Sequence, residues 1–143
     1  MRFMIIVKAT KDSETGVMSE FLKIDRWQEL FAQMATYHEE LQKAGVLLDA
    51  NGLHPSSKGW RVKYSGGKRT VIDGPFTETK ELVAGYTLIQ VKSKEEAMEW
   101  VRRFPNPHLQ DGEIEVRQLY ELEDFGPDVA VERFRDLGVG TEK

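Results

Sequence analysis

The amino-acid sequence predicts an α+β fold, an antiparallel sheet with two main helices on one face and an inserted β-hairpin. Three observations predict it. Apolar or alternating runs of strand length recur along the chain, and two amphipathic stretches lie between them. The pair Gly66-Gly67 separates two alternating runs, as in a tight hairpin. With 143 residues, 40% hydrophobic and 31% charged, the chain is long enough for one domain with a core.

The first strand and the first long helix are predicted as follows. Residues 3–7 are apolar at every position, so both faces of this strand should be covered. Residues 10–20 are expected to form a loop. A helix begins near Asp25, which can cap it with Gln28 as capping-box partner, and Gly45 can end it in a left-handed conformation. Its apolar face has three-four spacing: Trp27, Leu30, Phe31, Met34, Tyr37, His38 and Leu41.

The remaining elements follow from the same patterns. Further strands are predicted at residues 46–48, 60–64, 69–72, 85–91 and 113–119. Ser93 and Glu96 form a capping box that opens the second helix, and Pro105 stops it. Its buried stripe consists of Ala97, Trp100, Val101 and Phe104.

The order of elements is strand, helix, strand, hairpin, strand, helix, strand, which is the ferredoxin-like layout. We assign residues 1–125 to this domain. Residues 126–143 form a C-terminal extension, with a short helix expected at 127–137 anchored by Val129, Phe134 and Leu137. Two helices cover one face of such a sheet, yet the first strand is apolar on both. Because large exposed apolar patches usually mark an interface, we predict a homodimer in which two sheets pack face to face.

Charge and composition exclude several classes of function. The net charge is −4 and no basic stripe is present, which argues against a nucleic-acid partner. Without cysteine there is no disulfide, thiolate metal site or thiol nucleophile. The three histidines lack metal-ligand spacing, and the turn at 65–68 lacks the helix that a phosphate-binding loop needs. We therefore expect no cofactor and no metal.

The apolar run at residues 3–7 is too short for a signal-peptide core or a membrane span, and Lys8 ends it. We expect a cytoplasmic protein without a membrane partner.

Residues 73–81, Asp-Gly-Pro-Phe-Thr-Glu-Thr-Lys-Glu, are the most distinctive segment of the chain. Asp73 lies where a strand gives way to a turn, Gly74 permits unusual backbone angles, and Pro75 fixes its own φ. Asp73 can accept backbone N–H groups of its own turn or act in a site, and the sequence leaves both open.

The chain resembles the YCII-related superfamily, and within it the DGPF-domain branch. The resemblance rests on residues 52–59, 65–68, 73–81, 105–108 and 112–117. It implies a dimeric α+β barrel. Many DGPF proteins resemble accessory products encoded beside extracytoplasmic-function sigma factors, so a sigma factor is a possible regulatory partner. The superfamily also includes a dehydrochlorinase-like enzyme with a proposed His-Asp dyad, but the corresponding positions here are Met34 and Asn106.

The candidate catalytic residues are therefore others. Asp73 would be a general base, with His54 or His108 as its proton partner, although loop histidines more often bond within turns. Candidate ligand-binding residues are Glu78, Lys80, Phe76, Tyr86 and Trp60. His38 is interpreted as a satisfied residue at the core edge.

Two functions remain nearly level: a homodimeric small-molecule-binding or regulatory protein, and a lyase- or isomerase-type enzyme. A purely architectural role for residues 73–81 ranks third.

Overall fold

The computed structural model describes residues 1–15, 25–108 and 111–143. The strands are β1 (Arg2–Lys8), β2 (Leu47–Gly52), β3 (Trp60–Ser65), β4 (Lys68–Asp73), β5 (Val83–Gln90) and β6 (Ile114–Gln118). The helices are α1 (Lys11–Glu14), α2 (Asp25–Lys43), α3 (Lys94–Arg102) and α4 (Val129–Asp136). Single 3-10 turns lie at Ser56–Lys58, Thr79–Glu81 and Leu122–Phe125. The expected loop at 10–20 is wrong at its start, where α1 forms. The rest of that loop and the predicted side-chain cap at Asp25 lie outside the described residues.

Four strands form one antiparallel sheet in the order β2-β5-β1-β6. At its centre, Ile5 of β1 lies opposite Thr87 of β5 and Val116 of β6. This is the ferredoxin-like order, with β3 and β4 inserted as a separate two-stranded sheet. The predicted fold class is thereby confirmed.

Both long helices pack on one face of the four-stranded sheet. The buried core joins side chains of β1 and β5 to Tyr37 and Leu41 of α2 and to Ala97 of α3. The hydroxyl of Tyr37 donates to the carbonyl oxygen of Trp100 at 2.7 Å, which ties α2 to α3. Burial raises the pKa of Tyr37 to about 12, with the positive charge of Arg103 partly opposing that rise.

The other face of the sheet is less well covered. Phe3 and Ile5 are buried, whereas the alternate residues Met4 and Ile6 are only half-buried. Side chains alternate between the faces of a strand, so Met4 and Ile6 point away from the helices. Met4 lies beside Leu88 of β5, which is also half-buried. The homodimer that would cover these side chains stays a prediction.

Glycines set the turns that the sequence predicted. Gly45 after α2 has a φ of 74°, and Gly66 and Gly67 of the hairpin have φ values of 57° and 76°. These left-handed angles are those that glycine adopts without steric cost, and a pair of them makes the type I′ hairpin turn.

The C-terminal extension is held by its end rather than by its helix. The expected anchors of α4 are wrong, since Val129, Phe134 and Leu137 are 79%, 53% and 73% exposed. Instead, the backbone N–H of Lys143 donates to Gln90 at 2.7 Å, and the amide of Gln90 donates back to the carbonyl of Lys143 at 3.0 Å. The pattern of α4 is amphipathic, but its apolar side chains face outward.

A partly buried ion pair joins β1 to the segment that follows β6. Arg2 is 8% exposed, its Nε lies 2.9 Å from a carboxylate oxygen of Glu121, and its Nη2 donates to the carbonyl of Tyr120 at 3.1 Å. The second carboxylate oxygen of Glu121 is buried and has no hydrogen-bond partner within the described residues. Arg2 is therefore the charged partner that the structure gives to the carboxylate of Glu121.

Candidate functional site

The segment that begins at Asp73 packs against the turn at Ser56–Lys58. The N–H of Gly74 donates to the carbonyl of Gly59 at 3.0 Å, and the N–H of Phe76 donates to Ser56 Oγ at 2.9 Å. A Cβ atom on Gly74 would lie 1.8 Å from the backbone oxygen of Ser56, so no other residue fits here. The Gly74-Pro75 peptide bond is cis.

Glu14 of α1 completes this contact. Its carboxylate accepts the N–H of Ser56 at 3.0 Å and also bonds the hydroxyl of Ser56. One serine therefore connects α1, the turn at Ser56–Lys58 and the segment after β4. These bonds give residues 73–76 a structural role in holding the hairpin to the domain.

The three candidate catalytic residues have different surroundings. Asp73 is exposed at the end of β4, opposite Trp60, and His54 is exposed in the loop after β2. His108 is half-buried, and its ring lies where a Cβ on Gly112 would be, 2.0 Å from Cδ2. Among the described residues no hydrogen bond or ion pair joins any two of these three side chains.

The titration of His108 is perturbed by its surroundings. Burial lowers its pKa, and a hydrogen bond with the backbone of Glu113 partly opposes that effect. The contact with Gly112 explains the burial. The packing of His108 against Gly112 is consistent with a structural role, so its lowered pKa does not by itself identify a catalytic group.

The candidate ligand-binding residues are also dispersed. Trp60 is 65% exposed on the hairpin, and Phe76 is half-buried beneath the guanidinium of Arg61, whose Cζ is 3.8 Å from the ring centre. Glu78 and Lys80 form no ion pair within the described part of the chain, because a 3-10 turn replaces the extended segment expected there.

Tyr86 differs from the others because it borders a cavity of about 390 Å³ between α2 and the sheet. One helical stripe, spaced i, i+3, i+4 and i+7, supplies the wall from α2: Phe31, Met34, Ala35 and His38. The strands and the segment after α3 supply the rest: Val7, Ala50, Asn51, Gly52, Ala84, Gly85, Tyr86, Thr87 and Phe104. Within the ranges that the structure describes, no Asp, Glu, Lys or Arg lines it. Such a wall suits a ligand without charge, because a buried ion would have no partner.

A hydrogen-bonded pair, His38 and Thr87, supplies polar atoms to this cavity. His38 Nδ1 lies 2.7 Å from the carbonyl oxygen of Met34, and His38 Nε2 lies 2.8 Å from Thr87 Oγ1. A carbonyl only accepts, so Nδ1 carries the proton. In the neutral imidazole Nε2 then accepts, and the hydroxyl of Thr87 donates to it.

Burial and packing hold this pair in place. Thr87 is 3% exposed, and the ring of His38 meets the rings of Tyr37 and Phe104 edge to face at 5.6 and 6.2 Å. His38 was expected at the core edge with its bonds satisfied, and both ring nitrogens do have partners. The sequence interpretation missed Thr87 altogether, because only the pairing of β5 beneath α2 brings it to His38.

Two further properties concern the described residues as a whole. Within residues 1–15, 25–108 and 111–143, no group of three or more His, Asp or Glu side chains is placed to hold a metal ion. No helix in these ranges combines the length and the apolar character needed to cross a membrane.

Comparison with known proteins places this chain in a family. The model of the YCII-related domain matches residues 1–123. An uncharacterised protein of Rhizobium meliloti (strain 1021) is 32% identical over 92 residues, which are 64% of this chain and 74% of that protein. Among solved structures, the chain is similar to 5-chloro-2-hydroxyhydroquinone dehydrochlorinase from Burkholderia phenoliruptrix AC1100, in complex with 2,5-dihydroxybenzoquinone. The TM-score is 0.39 at 12% identity, over 85% of this chain and 95% of that one. The DGPF branch stays a prediction, but the match over residues 1–123 shows that this chain belongs to the YCII-related family.

Proposed function

We propose that this chain is a homodimeric small-molecule-binding protein whose ligand occupies the cavity between α2 and the sheet. The observation that carries the proposal is the cavity itself, about 390 Å³ and lined by apolar side chains around the His38–Thr87 pair. Ligand pockets are commonly about 300–1,000 Å³, apolar, with few polar groups that fix orientation. The ligand is accordingly compact, uncharged and largely apolar, with one polar group directed at His38 or Thr87.

The homodimer rests on the open face of the sheet. Met4, Ile6 and Leu88 are half-buried on the face of the sheet opposite α2 and α3. A second copy related by a two-fold axis would bury the same side chains on both chains at once. Light scattering should give twice the mass of one chain. Ile6→Glu should lower the measured mass to that of a monomer. A wild-type protein that stays monomeric at every concentration would contradict this part of the proposal.

A regulatory role, with a sigma factor as partner, rests on the resemblance to the DGPF branch alone. A gene for such a factor beside the gene of this chain would support it.

A second function, a lyase- or isomerase-type enzyme using general acid–base chemistry, is favoured by one observation. The cavity contains a histidine, His38, whose Nε2 is paired with the hydroxyl of Thr87 rather than with a backbone group. Asp73, His54 and His108 do not line that cavity, so His38 is the better-placed base.

The binding proposal is tested by blocking the cavity from α2. Ala35 lines the cavity and is exposed, so Ala35→Trp should fill it while leaving the helix intact. Ala32 is one turn earlier, equally exposed, and borders a different depression together with Glu29 and Arg103. Ala32→Trp is therefore the matched control.

The measurement is ligand-observed NMR with a panel of neutral aromatic and alicyclic fragments. We expect wild type and Ala32→Trp to bind the same fragments, and Ala35→Trp to lose them. Equal binding by all three proteins would place the ligand elsewhere. A panel without any binder would contradict the proposed ligand class.

A further inference from the structure

We propose that Thr87 and His38 form a proton-transfer pair that accepts the proton of an acidic hydroxyl group, phenolic or enolic, on a ligand in the α2 cavity. The inference deepens the proposed function and rests on it. It assigns a chemical task to two residues that lie 49 positions apart in the sequence and 2.8 Å apart in the structure.

The direction of the hydrogen bonds sets the direction of proton flow. The carbonyl of Met34 holds the proton of His38 on Nδ1, which leaves Nε2 as the basic atom. The hydroxyl of Thr87 donates to Nε2, so the lone pairs of Oγ1 remain available to a further donor. The group that would complete this series of hydrogen bonds is a hydrogen-bond donor on the ligand.

The proton transfer involves three groups, the ligand, Thr87 and His38, and protons and charge balance among them. The ligand O–H bond breaks and its proton moves to Thr87 Oγ1, while the proton of Thr87 moves to His38 Nε2. The ligand becomes an oxyanion and His38 an imidazolium, with Thr87 again a neutral hydroxyl between them. No oxidant, metal or further reactant enters, and the reverse transfer restores the starting state.

The cavity wall favours this partnership over binding of a preformed anion. Among the described residues it contains no Asp, Glu, Lys or Arg, so within that part of the chain the imidazolium is the positive charge that arises beside the ligand. Charge therefore appears on both partners together, as an ion pair between the ligand oxyanion and the imidazolium of His38. Phe31 and Phe104 line the same cavity, which suits a flat ring bearing the hydroxyl group.

The test uses 4-nitrophenol, whose ionisation is read from its absorbance, and 4-nitroanisole, the same ring without a proton. Thr87→Val keeps the shape of the side chain and removes the relay, Thr87→Ser keeps the hydroxyl, and His38→Gln removes the base. Thr70→Val, on the exposed hairpin strand β4, is the matched control. Equilibrium dialysis with each compound gives the bound amounts, and difference spectra give the ionised share.

At one fixed pH, wild type, Thr70→Val and Thr87→Ser should bind 4-nitrophenol with a ratio of ionised to neutral ligand about tenfold above that of Thr87→Val and His38→Gln. Such a difference corresponds to one pH unit in the titration of the bound phenol. All five proteins should bind 4-nitroanisole alike.

Two results would overturn the inference in different ways. Equal ionised fractions in wild type and Thr87→Val, with 4-nitroanisole bound by both, would refute the proton-transfer pair and leave the binding site standing. Failure of wild type to bind either compound would refute the proposed ligand class, and the inference would fall with it.

Discussion

Replacing Gly74 by alanine tests how the segment after β4 is held to the domain. The added Cβ would lie 1.8 Å from the backbone oxygen of Ser56 and 3.3 Å from that of Gly59. Separations below 3.0 Å are not tolerated, and both atoms are backbone, so no side chain can turn aside. The segment must move away from the Ser56–Lys58 turn.

That movement breaks two hydrogen bonds, from the N–H of Gly74 to Gly59 and from the N–H of Phe76 to Ser56. Each is worth about 0.5–1.5 kcal/mol net, and overpacking adds about 1–3 kcal/mol. The expected loss in the free energy of unfolding is about 2–6 kcal/mol. Gly59→Ala is the matched control, because its Cβ would lie 3.6 Å from the same oxygen at an ordinary φ of −119°.

The assay combines urea denaturation with amide hydrogen exchange. Gly74→Ala should lower the unfolding free energy and expose the amides of residues 74 and 76 to exchange, while Gly59→Ala should stay within about 0.5–1 kcal/mol of wild type. Unchanged protection at both amides in Gly74→Ala would refute the reasoning.

Three further predictions concern ionisable groups. Arg2→Met should cost about 1–3 kcal/mol, because it leaves the partly buried carboxylate of Glu121 without its partner. Adding Glu121→Met should recover part of that loss in urea melts, and a double variant no more stable than the single one would contradict this. Folding raises the pKa of Tyr37 from 10.0 to about 12, so stability should fall as pH rises through that interval, and Tyr37→Phe should remove this fall from thermal melts. Folding lowers the pKa of His108, so the unfolded chain binds its proton more readily, and stability should decrease as pH falls below about 6.5. His108→Gln should flatten the dependence of the unfolding free energy on pH in that range. An unchanged pH dependence would contradict this prediction.

Much of the fold followed from local chemistry. The pair Gly66-Gly67 predicted the hairpin because few other residues adopt two successive left-handed conformations, and the structure shows both angles. Ser93 predicted the start of α3, where its hydroxyl accepts the N–H of Glu96 at 3.1 Å. The order of these elements then allowed few topologies.

The C-terminal extension shows where local pattern stops being informative. An amphipathic spacing predicted α4 but could not say whether its apolar side would find a partner within the chain. Phe134 and Leu137 face outward, while backbone bonds at Lys143 hold the segment. Apolar periodicity specifies a helix face, and contacts distant in sequence decide what that face meets.

The candidate site was missed for a related reason. Asp73 stood out because its neighbours are unusual, and the structure gives those neighbours a packing role around Ser56. His38 and Thr87 stand in ordinary helical and strand patterns. Their pairing depends on the register of β5 beneath α2, which no short-range signal in the sequence encodes.

The most direct measurement is methyl NMR of the protein titrated with a neutral aromatic ligand. Binding between α2 and the sheet should shift the methyl signals of Met34, Ala35 and Thr87, which line the cavity. The methyl signals of Ala32 and Val62, which lie outside it, should stay in place. Shifts confined to the hairpin or to the C-terminal extension, with the cavity methyl groups unmoved, would contradict the assignment of the binding site.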